Sequence, residues 1–284
     1  MASKHGFRKS PADLLSVGPD FVLDQVDSSA SPGFSGKKRD AEQVLAERAR
    51  KLGSLQEQLF AESKFGGSKS ILLVLQAMDT AGKGGIVSHV VGSVDPQGVQ
   101  LHAFKAPTEE EKQHDFLWRI EKQVPRAGML GVFDRSHYED VLIHRVHGWA
   151  DEAELERRYQ AINDFEAELT ASGTKIIKVM LHISPDTQKE RLTARLADPS
   201  KYWKYSPGDV TERGFWPQYM QAYQLAFEKT STEIAPWHVV PADKKWYARL
   251  AVQELLVAAL ESLQLSWPEG DYDLAEERKR VAAS

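Results

Sequence analysis

The sequence predicts an α/β fold: a five-stranded parallel sheet covered by helices on both faces. Three observations support this. Short apolar runs recur along the chain, each bounded by turn residues. Stretches with apolar residues at helical spacing alternate with them. One run, Ile71 to Leu75, leads through a glycine-rich loop directly into a helical segment, which is the strand–loop–helix order of a βα unit.

Composition narrows the class. A chain of 284 residues suits one large α/β domain or two small ones. Hydrophobic content of 42% and charged content of 27% are ordinary for a soluble globular protein. A net charge of -5 offers no global field to nucleic acid, so an anionic ligand must be held by local cationic clusters. The absence of cysteine excludes disulfides, thiolate metal sites and a thiolate nucleophile. The opening residues, MASKHGFRKSPADLL, lack the apolar core of a signal peptide. No apolar run reaches membrane-spanning length. The expectation is a cytoplasmic protein with neither membrane nor nucleic acid as partner.

Residues 1–39 read as an irregular arm. Asp27 to Gly33 looks like a flexible linker, and the cluster Gly36–Lys37–Lys38–Arg39 like part of a solvated arm. A helix is predicted over 40–63, with Leu45, Leu52, Leu55, Leu59 and Phe60 on one face. After the first strand and its loop, Val99 to Phe104 is a short alternating strand. Pro107 opens a helix with acids in its first turn, expected to run to about Gln123. Met129 to Asp134 is the next strand, an apolar run ending in a carboxylate, followed by a helix through about His147. His144 and His147, three apart, would suit a metal, but no carboxylate or Cys motif accompanies them and packed or surface histidines are favoured.

Ala153 to Ala171 is an amphipathic helix capped by Gly173, and Lys175 to Ile183 is a strand. Ser184 caps the next helix, with Pro185 at its first position. Between Arg191 and Lys204 stand four cations, Arg191, Arg195, Lys201 and Lys204, against one acid, Asp198. This basic, aromatic segment has the composition either of a lid over an anionic site or of a solvated loop. A helix over 211–230, a last strand at 237–240 and a helix over 244–263 complete the pattern, and the tail after Ser266 is polar. The expected organisation is a single domain over 40–265, with a lid at about 191–213 and a tail over 266–284.

The loop after the first strand carries the chemistry. Ile71 to Gly85 reads ILLVLQAMDTAGKGG. Glycines at 82, 84 and 85 let backbone N–H groups approach phosphate oxygens, and Lys83 adds a full positive charge. The common phosphate-loop pattern is G-x-x-x-x-G-K-[ST]. Here Ala77 stands at the first Gly position and Gly84 at the hydroxyl position, so the usual Mg²⁺-binding hydroxyl is missing. Asp79, inside the loop, offers a carboxylate in its place. A plain glycine turn with an exposed Lys would share the same local sequence. Ligands of such sheets sit at the carboxyl ends of the strands, so Asp134 should emerge near Lys83 and Asp79, with Arg135 beside it.

Several ordered segments together resemble the polyphosphate kinase 2 family. They are LQAMDTAGKGG (75–85), HDFLWRI (114–120), GVFDRSHYEDVL (131–142), NDFEAEL (163–169), KVMLHIS (178–184), DPSKYWKYSPGD (198–209) and APWHVVPADKKWYAR (235–249). The likeness runs from about Phe34 to about Leu263. It implies a P-loop kinase of the thymidylate kinase type, a three-layer sandwich with a helical lid. It also implies Mg²⁺-dependent, reversible phosphoryl transfer between inorganic polyphosphate and nucleotides, with Mn²⁺ as an alternative ion. Carried over by position, Asp79, Lys83, Asp134 and Arg135 fall on active-site residues, Asp79 and Asp134 as metal ligands, and Arg119 is grouped with them as catalytic. Thr80, Ala81, Gly82, Gly84, Gly85 and Glu139 fall near the phosphates, and Arg191, Arg195, Lys201 and Lys204 fall in the lid. The SHYEDVL form resembles members that accept both AMP and ADP, with GMP and GDP as further candidate acceptors. The resemblance further suggests a dimer or tetramer. Two rival functions share the fold: an ATP-dependent nucleotide kinase, and a nucleotide-binding protein without turnover.

Overall fold

The computed structural model describes residues 6–284; positions 1–5 of the expected arm lie outside the described residues. The strands are β1 (Ser70–Ala77), β2 (Val99–Ala103), β3 (Leu130–Asp134), β4 (Thr174–His182) and β5 (Trp237–Pro241). They form one parallel sheet in the order β2-β3-β1-β4-β5. The chain therefore starts at the centre, moves out to one edge, returns, and crosses to the other edge. The expected five-stranded parallel sheet is present.

Alternation along β1 builds both layers at once, because successive side chains of a strand leave opposite faces. Ile71, Leu73 and Leu75 enter one apolar layer with helices α2 (Lys38–Lys64), α3 (Lys83–His89) and α10 (Lys245–Ser262). Leu72 and Val74 enter the other, with α5 (Glu139–Val146), α6 (Glu152–Ala171) and α9 (Trp216–Thr230). All five of these β1 side chains are fully buried. Each contributes about 1.5–3 kcal/mol by leaving water, so the strand that launches the phosphate loop is the most firmly seated part of the sheet.

Two local expectations fail for identifiable reasons, and the tail holds an element that was not expected. The helix expected over 107–123 is only a one-turn 3₁₀ segment (Glu111–Gln113) and a single turn, α4 (Trp118–Glu121). Thr108 and Glu111 do make the reciprocal capping bonds that start a helix. His114 then turns extended and Asp115 accepts the Leu117 N–H, drawing the backbone out of the helix. The helix expected over 211–230 is two, α8 (Pro207–Arg213) and α9. Pro217, in the first turn of α9, has no N–H to offer Arg213, so the chain restarts there. The polar tail contains a helix, α11 (Leu274–Ala283), whose N-cap Asp273 accepts from the Ala275 and Glu276 N–H groups.

The N-terminal arm is mostly irregular but it is not loose. It contains a short helix, α1 (Pro11–Leu15), and buries Phe7, Leu15, Leu23 and Phe34. Val17 N–H donates to the Trp237 carbonyl at 2.8 Å and covers the outer edge of β5. The stretch expected as a flexible linker is fastened: Ser28 bonds to the Asp243 carboxylate at 2.8 Å, and the Tyr247 hydroxyl to the Pro32 carbonyl at 2.9 Å. Lys38 and Arg39 belong to the first turn of α2 rather than to an arm. No helix among the described residues is long and apolar enough to cross a membrane.

Candidate active site

The carboxyl ends of β1 and β3 lie side by side, with Leu75 in register with Asp134. Both strands leave the sheet through unusual backbone. Thr80 (φ 66°) and Arg135 (φ 63°) are non-glycine residues in the left-handed region, and Gly82 (φ 123°) sits where side chains are disfavoured. The Arg135 turn is fixed by its N–H, which donates to the Leu75 carbonyl at 3.0 Å. In the loop, Gly85 and Ile86 N–H groups close onto the Gly82 carbonyl and start α3. Among the described residues, the N–H groups of Gly82, Lys83 and Gly84 meet no acceptor. They are the donors that a phosphate would use.

The expected charged groups converge. Lys83 Nζ lies 4.0 Å from Asp134 Oδ1, and Arg135 Nη2 lies 3.3 Å from Asp79 Oδ1. Glu139 stands behind Arg135 at 3.9 Å. Glu139 and then Asp79 and Asp134 hold the Arg135 guanidinium above its ordinary range, while burial pushes the Glu139 carboxyl up against the pull of Arg135 and Lys83. These residues open into a cleft of about 1000 Å³. Eight cations line it: Lys83, Arg135, Arg191, Arg195, Lys201, Lys204, Lys245 and Arg249. They face three carboxylates, Asp79, Asp134 and Asp209. Such an excess of one sign is self-repulsive until an anion enters.

The cations do not all reach the cleft in the same way. Arg191, on α7 (Pro185–Leu196), donates to the carbonyls of Thr80, Ala81, Ala242 and Asp243 at 2.7–3.0 Å. It ties the phosphate loop to the loop after β5 and contributes its field rather than its hydrogen-bonding fork. Arg195 is paired with Asp209 at 3.2 Å, and Lys201 with Asp198 at 2.6 Å. Lys204 lies over the Trp203 ring at 4.9 Å. Arg119 is not among the cleft-lining residues: it is buried, donates to the Lys105 carbonyl at 2.8 Å and lies 3.5 Å from Asp140. The histidine pair is ordinary. His144 accepts from Arg158, and burial and that cation push it down to about 4, while His147 bonds to Glu212 at 3.0 Å.

Four functional candidates escaped the sequence reading. Gln188, on α7, donates to the Asp79 carbonyl at 3.1 Å. Asp209 faces the cleft from α8. Lys245 and Arg249 sit four apart at the start of α10, at the carboxyl end of β5, which is where the topology rule places ligands. Burial, and then Arg191, Arg249 and Lys201, push the Lys245 ammonium down, a sign of crowded like charge.

A divalent ion fits the donor set in part. Asp79 and Asp134 are hard oxygen donors on the cleft wall, and no third His, Cys, Asp or Glu joins them in a metal-holding group among the described residues. Mg²⁺ is commonly held by one or two carboxylates, with waters and substrate phosphates completing its shell, so two donors suffice.

Comparison with known proteins gives concordant findings. The family model described as polyphosphate kinase 2 matches residues 35–266. The chain is 45% identical over 255 residues to the AMP/ADP-polyphosphate phosphotransferase of Meiothermus ruber, covering 89% of this chain and 94% of that protein. It is 41% identical over 248 residues to the ADP-polyphosphate phosphotransferase of Rhodopseudomonas palustris, covering 83% and 84%. The crystal structure of polyphosphate kinase 2 from Arthrobacter aurescens TC1 superposes with a TM-score of 0.97 at 69% identity, over 98% of each chain.

Proposed function

Because the chain belongs to the polyphosphate kinase 2 family, we propose that it moves the terminal phosphoryl group of inorganic polyphosphate onto AMP and ADP, reversibly. The observation that carries this reading is the cleft itself. Unpaired loop N–H groups, the Asp79, Asp134 and Asp209 carboxylates and eight cations meet at the carboxyl edge of the sheet, where a polyanionic donor and an anionic acceptor must be brought together.

Donor and acceptor both carry phosphate charge and repel, so catalysis is mostly alignment and neutralisation. The loop N–H groups and Lys83 hold the transferring group. Arg135 spans the line between Asp79 and Glu139 and is placed to stabilise charge as the bond to the leaving phosphate breaks. Asp79 and Asp134 would hold Mg²⁺, which when bound offsets charge on the phosphate oxygens. The attacking oxygen is a phosphate oxygen and already ionised, so no general base is needed. Arg249 stands against Gly85 of the loop, and Arg195, Lys204 and Lys245 extend the positive surface beyond it, as a chain longer than a nucleotide would use. Arg119 acts at a distance in this scheme, by fixing the segment before β3 through Lys105 and Asp140.

A coupled assay with polyphosphate, Mg²⁺ and either AMP or ADP tests the proposal. Formation of ADP and ATP with polyphosphate as sole donor is expected. Turnover with ATP but not polyphosphate would make the chain an ordinary nucleotide kinase. Binding without turnover would make it a sensor.

A further inference from the structure

The α8 segment is held to the body in an unusual way. None of its residues is buried, so no apolar contact anchors it. Polar side chains hold it instead: Glu212 accepts from the Tyr219 hydroxyl at 2.6 Å and bonds to His147 at 3.0 Å, and two charged side chains four apart, on one face of the helix, reach across to α7. Asp209 pairs with Arg195 at 3.2 Å. Arg213 Nη1 donates to the Pro185 carbonyl at 2.5 Å and to Gln188 Oε1 at 3.0 Å. An element fastened only by polar links lies at the low end of local stability and is free to reseat.

Gln188 is the pivot of this arrangement. Its side chain is buried, and its amide has two ends with two different partners. The oxygen accepts from Arg213 on α8, and the nitrogen donates to the Asp79 carbonyl in the phosphate loop at 3.1 Å. An amide is planar, so pulling one end turns the other. The loop residue it grips carries one of the two carboxylates at the site, and it precedes Thr80, whose backbone is strained. A buried, hydrogen-bonded Gln needs both partners, and losing Arg213 leaves its oxygen unsatisfied.

We propose that Gln188 is a positioning residue that couples the seating of α8 to the geometry of the phosphate loop. A seated α8 holds Gln188 in the orientation that fixes the Asp79 carbonyl, and a displaced α8 releases the loop. In catalytic terms this rests on the phosphotransfer reading above, but the coupling itself is a property of the chain and is tested without turnover.

The test uses Q188M, which keeps the volume and removes both bonds, R213M, which removes the α8 end alone, and the double variant. Amide hydrogen exchange at Ala81 and Gly85, the loop N–H groups bonded to the Met78 and Gly82 carbonyls, should quicken by about fivefold in each in the ligand-free protein, the size of one lost hydrogen bond. In the coupled assay each single variant should lose about tenfold in kcat, with KM for polyphosphate and nucleotide changed less than about twofold. The double variant should be no slower than the slower single, because both changes break one link. If Q188M does not fold, Q188E keeps an acceptor for Arg213 and cannot donate to Asp79; it should show the same loop exchange. Unchanged loop exchange in R213M, or losses that multiply in the double variant, would overturn the coupling. A wild-type protein inactive with polyphosphate would sink the phosphotransfer reading and leave the exchange result to decide the coupling.

Discussion

Lys83 and Lys178 carry the same ammonium group in opposite settings. Lys178, on β4, is fully buried and fully satisfied. Its Nζ donates to Glu166 Oε2 at 2.6 Å, to the Thr230 carbonyl at 2.6 Å and to the Tyr138 hydroxyl at 2.9 Å. Tyr138 in turn donates to the second Glu166 oxygen at 2.8 Å. Burial pushes the Glu166 carboxyl up, but Lys178 and His137 together outweigh it, and it is held below the ordinary carboxylate range. Lys83 lies on the cleft wall with one contact at 4.0 Å. A lysine with every donor used holds a structure together. One with its donors free in a crowd of like charge is kept for something that arrives. The two regions are neighbours in sequence as well as space, since Asp134 and Arg135 face the cleft while His137 and Tyr138, two and three residues on, enter the buried network.

The first way to break this comparison is to exchange the consequences. Asp134→Asn should lower phosphoryl transfer by roughly a thousandfold or more, the scale of a lost transition-state charge. Its melting temperature should stay within a few degrees. Near-normal turnover in the folded variant would remove Asp134 from the reaction. Lys83→Ala should show the same pattern, with a large loss of kcat and little loss of stability.

Lys178→Ala should invert that pattern. It strands Glu166 without its main partner and should cost about 3–5 kcal/mol, read by denaturant unfolding. Lys178→Met combined with Glu166→Gln should recover much of that loss, because a neutral pair needs no compensation. If Lys178→Ala were as stable as wild type but inactive, the buried network would belong to the reaction and the contrast would collapse.

A smaller effect separates members of the cleft. Lys201 is already offset by Asp198 at 2.6 Å, and Lys204 is not ion-paired among the described residues. Lys204→Ala should therefore raise KM for long polyphosphate severalfold and flatten its salt dependence, and Lys201→Ala should do less. Equal effects would show that the Lys201 pair opens when the donor binds.

The effect confined to the narrowest conditions, acid pH, lies on the packed side. Burial pushes both His144 and His238 down to about 4 from an ordinary value of 6.5. Folded protein therefore binds fewer protons than unfolded chain between those values, and stability falls as pH drops from 6.5 toward 4. Each contributes up to about 1.4 kcal/mol per pH unit in that window. His144→Gln should flatten the decline in melting temperature between pH 6.5 and 4.5, and a slope identical to wild type would refute the assignment.

The Lys83 side of this contrast was legible in the sequence, the Lys178 network was not, and the difference has a physical reason. Apolar runs and helical spacing located all five strands, and Asp79, Lys83 and Asp134 meet where the topology rule requires. Arg191 was legible as a cation but not as a clamp, because its partners are carbonyls, which every residue has. Gln188 was invisible for the same reason: a lone Gln in a helix has no spacing signature. Lys245 and Arg249 lie in the segment 235–249 at the carboxyl end of β5, the position where the strand-end rule places ligands. The break before α9 was signalled by Pro217, and α11 by Asp273 and Glu276 at capping distance.

The Arg191 clamp has a consequence for how the protein is made. One guanidinium joins residues 80 and 81 to residues 242 and 243, so the phosphate loop takes its final form only when the chain after β5 is present. A ribosome adding roughly 5–20 residues per second leaves a gap of about eight to thirty seconds between the emergence of the loop and that of residues 242 and 243. The sheet imposes a shorter delay of the same kind, because β1 waits for β4 on one side, a pairing of high sequence separation. Throughout that interval the growing polypeptide has its cations but not their arrangement. The anion trap is assembled only once the chain beyond β5 has emerged.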